Sequence, residues 1–172
     1  MRYTKNLKIN YKYNILMLAI LIFLVFFLIT NIYTSINHLT VEEEVKRFGI
    51  EDLYGFYSPE QENTIMYNWT RNEAAKILRK KGDVICIPVS NSRPEIEENN
   101  VNLKITINDK MKYSYTMNSN DWKLIFINVK EIKDDYIKIK FYVDKTWRPI
   151  DLLEDSVDKR ILGVKVGEIY WE

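Results

Sequence analysis

The chain holds one cysteine and one histidine among its 172 residues. A single Cys86 excludes an intramolecular disulfide. With His38 distant from it in the sequence, a zinc site or a Cys–His nucleophile pair lacks its second ligand or base. Cys86 lies in the apolar run from Asp83 to Val89, where a free thiol acts as a small buried hydrophobe and has no basic neighbour to activate it. Also missing are a phosphate-cradling glycine loop, a dinucleotide fingerprint, an HExxH pair and a serine nucleophile motif. Carboxylate pairs do occur, Glu60 with Glu62 and Asp155 with Asp158, but their spacing and neighbours do not mark them for glycoside hydrolysis. No catalytic residue, metal ligand or cofactor is therefore expected.

Acidic residues are absent from the first 41 positions, whereas Arg2, Lys5, Lys8 and Lys12 supply four of the 25 basic ones. The rest of the chain sets 21 basic against 24 acidic residues, a net charge of −3. Nucleic acid is excluded as a partner by that balance, since phosphate recognition needs a basic excess. Lysines are spread along the sequence instead of clustered, and Arg79-Lys80-Lys81 reads as a solvated turn.

What the chain does have is a charge-free run, Ile15 to Ile29 (ILMLAILIFLVFFLI). Extended to 14–33 it reaches about 20 residues, enough at about 1.5 Å per residue to cross a bilayer about 30 Å thick. The basic leader, 1–13, stays cytoplasmic by the positive-inside rule. The residues after the run, Thr30-Asn31-Ile32-Tyr33-Thr34-Ser35-Ile36, lack the small-residue pattern of a signal-peptidase site, so an uncleaved single-pass anchor is expected, with the lipid bilayer as its partner. Segment 34–52 reads as a stalk. Its helix starts at Thr40 as N-cap, with Glu43 at the capping-box position.

From 53 to 172 the period changes to two. Val101, Leu103, Ile105 and Ile107 alternate with polar residues, as do Met111, Tyr113, Tyr115 and Met117. Asn108-Asp109-Lys110 joins them as a tight hairpin. Trp122–Val129 and Tyr136–Val143 read as a second pair across Lys130–Asp135, with Ile137, Ile139, Phe141 and Val143 opposite Lys138 and Lys140. Leu162–Trp171 reads as one last strand, with Gly163 and Gly167 as bulge or close-packing points. About eight strands in an all-β, jelly-roll-like antiparallel sandwich are expected.

Two motifs flank this region. Gly55-Phe56-Tyr57, Glu60, Glu62 and Tyr67-x-Trp69-Thr70 open it; Trp147-Arg148-Pro149, Asp151 and Asp158-x-Arg160-x-Leu162-Gly163 close it. Over Tyr54 to Trp171 the chain resembles a β-sandwich module at the C-terminus of bacterial surface-polysaccharide glycosyltransferases and related cell-envelope membrane proteins. It departs from that pattern at Val157 and Lys159 around Asp158, and in the short Asn63-Thr64-Ile65. The resemblance implies contact with a cell-envelope glycan or a membrane glycosyltransferase; the alternatives are a structural subunit of a membrane assembly or a carbohydrate-active enzyme. Sugar rings lay their apolar faces on aromatic rings, so Trp69, Trp147 and Tyr57 are the expected glycan contacts, although buried aromatics equally build cores. Gly55, Asp158, Arg160 and Gly163 are expected to be structural, Arg160 by offering its planar fork to Asp158 or Glu60.

Overall fold

The computed structural model describes residues 3–37, 41, 43, 45, 52–94 and 96–172, with side chains for 14–31, 41, 43, 45, 53–94 and 96–172. Two compact units are present, Met1–Thr40 and Val41–Glu172.

The first unit holds helix α1 (Tyr3–Asn37), so the basic leader and the apolar run form one 35-residue helix that starts well before the anchor expected at 14–33. Over Asn14–Asn31 its mean hydropathy is 2.5, and its apolar side chains are exposed. Thr30 donates to the carbonyls of Phe26 and Phe27, and the Asn31 amide donates to that of Phe27. Polar groups at the end of the run are thus satisfied within the helix, as a lipid environment requires. Length and apolarity suit a membrane anchor or a signal sequence alike. Of the stalk helix, Val41, Glu43 and Val45 are helical, while Thr40, its expected cap, and His38 lie outside the described residues.

The second unit is an antiparallel β-sandwich. Its strands are β1 (Asp52–Phe56), β2 (Glu60–Glu62), β3 (Ile65–Arg79), β4 (Val84–Ser90), β5 (Val101–Ile107), β6 (Met111–Met117), β7 (Lys123–Asn128), β8 (Tyr136–Val143), β9 (Lys165–Gly167) and β10 (Tyr170–Trp171), with a one-turn helix α2 (Pro149–Leu152). Ten strands replace the expected eight because several are only two to five residues long.

Strand β3 belongs to both layers. Its first half pairs with β2 and β9, and its second half with β1 and β8. One sheet runs β1–β3–β8–β5–β6; the other runs from β2 through β3 and β9 to β4, which also pairs with β7 and β10. The core lies between them: Val101, Leu103, Ile105 and Ile107 with Ile137, Ile139, Phe141 and Val143 from one sheet, and Ile85, Ile87, Val89, Ile125, Ile127, Val164 and Val166 from the other. These are the apolar halves of alternating strands, which puts both faces where period two requires. Asn108 and Asp109 both take positive φ, 47° and 59°, and close the expected β5–β6 hairpin.

Two expected pairings are corrected. Trp122–Val129 and Tyr136–Val143 do not pair with each other: β7 pairs with β4 in one sheet and β8 with β3 and β5 in the other, so Lys130–Asp135 crosses between layers. Leu162–Trp171 is not one strand. Leu162 makes an isolated bridge with Trp147, and the chain then reaches β3 through β9 and β4 through β10.

Candidate functional site

The opening and closing motifs meet, although about a hundred residues separate them. Arg160 Nε donates to both Asp158 carboxylate oxygens at 3.1 and 3.0 Å, Nη2 donates to Asp158 Oδ2 at 2.8 Å, and Nη1 donates to Glu60 Oε1. Hydrogen bonding from Arg160 holds the Asp158 carboxyl below the usual carboxylate range, and Asp158 in turn raises Arg160. The Tyr57 hydroxyl donates to the carbonyl of Ile161 and accepts from its N–H, and the Arg71 and Arg160 guanidinium carbons sit 5.2 and 5.3 Å from the Tyr57 ring centre. Glu60 also accepts from the Tyr67 hydroxyl, which burial and then Glu60 itself push up to about 12. Lys165, almost wholly buried, donates to Glu62 and lies over the rings of Tyr67 and Trp69.

Beneath this polar clasp lies a second small core of Tyr67, Trp69, Trp147 and Leu162, with Tyr57 and Trp122 against it. Trp69 meets Trp147 edge to face at 6.0 Å and Tyr67 at 6.2 Å. The expected glycan contacts Trp69, Trp147 and Tyr57 all belong to this cluster. Trp69 and Trp147 are only 5% and 7% exposed, and rings so enclosed offer no face to a sugar. Tyr57 is half-buried, with two guanidinium groups beside its ring. On either side of Trp69, the Asn68 amide donates to the Tyr57 carbonyl and Thr70 is fully buried.

The structural glycines act through close approach. A Cβ on Gly163 would collide with the Arg71 carbonyl and the Thr70 hydroxyl, where Gly163 N–H donates to Thr70 O and Val164 N–H to Thr70 Oγ1. Gly55 has φ +79°, and a Cβ there would collide with the Glu73 carbonyl. At Gly55 the pairing partner on β3 jumps from Ala75, opposite Tyr54, to Thr70, opposite Phe56. In a regular strand Tyr54 and Phe56 would share a face. The bulge parts them, sending Phe56 into the core edge to face with Phe141 at 5.9 Å and leaving Tyr54 outside.

Tyr54 thereby borders a groove of about 360 Å³ on the outer face of the β1–β3–β8–β5–β6 sheet, lined also by Glu73, Lys104, Thr106, Lys140, Phe141 and Tyr142. Register arranges these residues in rows. Glu73, Tyr142, Lys104 and Ser114 lie side by side across β3, β8, β5 and β6; Tyr54, Ala75, Lys140, Thr106 and Lys112 form the next row from β1 to β6. Ala75, small and buried, keeps the floor low between Tyr54 and Lys140. Tyr54 and Tyr142 are 47% and 46% exposed. Lys140 is held by Asp109 at 2.6 Å, and Lys138, buried in the same strand, lies 3.6 Å from the same carboxylate. Burial raises the Asp109 carboxyl, but the hydrogen bond and charge of Lys140, then Lys138, outweigh this and hold it low. At the far end of the face Asp144 accepts from the Asn102 N–H and amide, each at 2.8 Å, and Thr116 donates to Asn102. The arrangement combines exposed aromatic rings with fixed hydrogen-bonding groups of both signs, the make-up of a recognition site.

Period-two alternation carried a signal for Tyr142 that the motifs obscured. It stands in register with Lys138 and Lys140 on the polar side of β8, and an aromatic at a polar-face position is the mark of a surface ring.

No protein-family model matches the chain, and no curated protein does. Among solved structures it is similar to a CBM4 protein (10% identity, TM-score 0.35, 73% of this chain and 81% of that one). It is also similar to TmCBM61 in complex with β-1,4-galactotriose (12%, 0.36, 64% and 71%). A third is a ruminal GH26 endo-β-1,4-mannanase (12%, 0.33, 65% of this chain and 20% of that one). Likeness at this level fixes neither ligand nor site.

Proposed function

We propose that the protein is a membrane-tethered, non-catalytic glycan-binding module, and that the groove between Tyr54 and Tyr142 is its recognition surface. One observation carries this: two half-exposed tyrosines border a shallow groove that Glu73, Lys104, Thr106 and Lys140 line with polar groups, on a sheet face turned away from the core. Sugars present alternating apolar faces and hydroxyl edges, and such a groove answers both. α1 supplies the tether, with its basic end in the cytoplasm and the sandwich outside, at the cell envelope, where a glycan or a polysaccharide-synthesis partner such as a membrane glycosyltransferase would be met.

Catalysis is disfavoured by where the carboxylates are. Glu60 and Asp158 are both bound to Arg160, and Glu62 to Lys165. A general acid needs a raised pKa, whereas Asp158 is lowered. Among the described residues no group of three His, Cys, Asp or Glu could hold a metal.

The test uses the full chain in nanodiscs, titrated with envelope polysaccharide fractions beside Tyr142→Ala. Binding by the native chain, lost in a variant of unchanged melting temperature, is the expected result. Equal binding by the variant would remove the groove from the account, and no binding by either would favour the scaffold alternative.

A further inference from the structure

Resting on that reading of the groove, we propose that its ligand is an anionic glycan, a polymer bearing carboxylate or phosphate groups along its chain. The sequence after the leader is net acidic, at 21 basic against 24 acidic residues, and its lysines are scattered. Folding reverses this on one face. β5, β6 and β8 bring Lys104, Lys112, Lys138 and Lys140 to the outer side of a single sheet. Facing them are Glu73, Asp109 and Asp144. Two of these carboxylates are already committed, Asp109 to Lys138 and Lys140, and Asp144 to Asn102.

Lys104 and Lys112 differ from the other two lysines. Both are exposed, and neither forms an ion pair among the described residues. They stand on adjacent strands in successive rows, with Ser114 beside Lys104 and Thr106 beside Lys112. Diagonal neighbours in a sheet lie about 7–8 Å apart, within reach of one anionic group or of two on successive sugars. Tyr142 abuts Lys104 in its own row. A sugar ring resting on Tyr142 would thus hold a ring-borne anion near Lys104, with Lys112 one step further along. Nearly the same hydroxyl-binding groups would serve a neutral sugar, but the two lysines would then contribute little.

Full-length protein in nanodiscs of zwitterionic lipid, so that the bilayer carries no competing charge, is titrated with three probes: polygalacturonate, poly(glycerol phosphate) and a neutral mixed-linkage β-glucan. The expected result is tighter binding to one or both anionic polymers, weakening as NaCl is raised from about 50 to about 300 mM, across which screening shortens markedly. Whichever anionic polymer binds identifies the anion as carboxylate or phosphate. Lys104→Gln/Lys112→Gln should weaken that binding about five- to tenfold and flatten its salt dependence, at an unchanged melting temperature. Equal binding of the neutral glucan, with no salt dependence, would overturn the anionic assignment while leaving the groove a glycan site. If no probe and no envelope polysaccharide binds, both fall together.

Discussion

Glycine 55 joins sequence to site most directly. Its positive φ is closed to most side chains, and the Glu73 carbonyl occupies the place of a Cβ. Gly55→Ala should therefore lower stability by about 2–4 kcal/mol, from backbone strain and forced separation of β1 from β3, and Tyr54 should lose its position as well. Denaturant unfolding measures the first effect and ligand binding the second. Arg160 makes a smaller prediction. Its side chain and both carboxylate partners are about a third exposed, so solvent discounts the ion pairs, and Arg160→Ala should cost about 1–2 kcal/mol. The pH dependence has a definite sign. Asp158 is lowered when folded, so its contribution is complete above the unfolded value of about 3.9 and is lost as pH falls through the folded one. Melting temperature followed from about pH 6 down to about pH 2 should fall in the native chain and fall less steeply in Asp158→Asn. At this scale the clasp was legible, because Asp158 and Arg160 two apart and a glycine beyond them announce geometry. The aromatic contacts were not. Trp69 and Trp147 are far apart in the sequence, and only the fold reveals that they pack on each other in one buried cluster with Tyr67 and Leu162.

Strands with one wet face were readable and strands that change layers were not. β5 and β8 alternate without interruption, so their core residues followed from period two. β3 breaks the pattern twice, with Trp69 and Thr70 both buried and Ala74 and Ala75 both buried, because it leaves one sheet and enters the other. The partners of β7 and β8 are not legible for a related reason, since these sequence neighbours of hairpin length lie in different layers. Two strand-borne aromatics separate structure from recognition. Trp69→Ala empties the second core and should cost about 3–5 kcal/mol, measured by denaturant unfolding. Tyr142→Ala removes a half-exposed ring and should stay within about 0.5 kcal/mol of the native chain.

As a whole, the molecule is polarised along its sequence: four basic residues, a charge-free run from Ile15 to Ile29, an acidic stalk, then a sandwich of nearly balanced charge in which one face gathers lysines. Protease added to intact spheroplasts should remove the sandwich and leave the leader protected; a spared sandwich would reverse the orientation. The measurement that tests the account most directly is NMR of the full chain in micelles, with ring-labelled tyrosine and tryptophan, during titration with a bound polysaccharide. The account predicts that the Tyr54 and Tyr142 ring signals move while the Trp69 and Trp147 indole signals stay in place. Movement of the indole signals with Tyr54 and Tyr142 unchanged would put recognition at the clasp and contradict it.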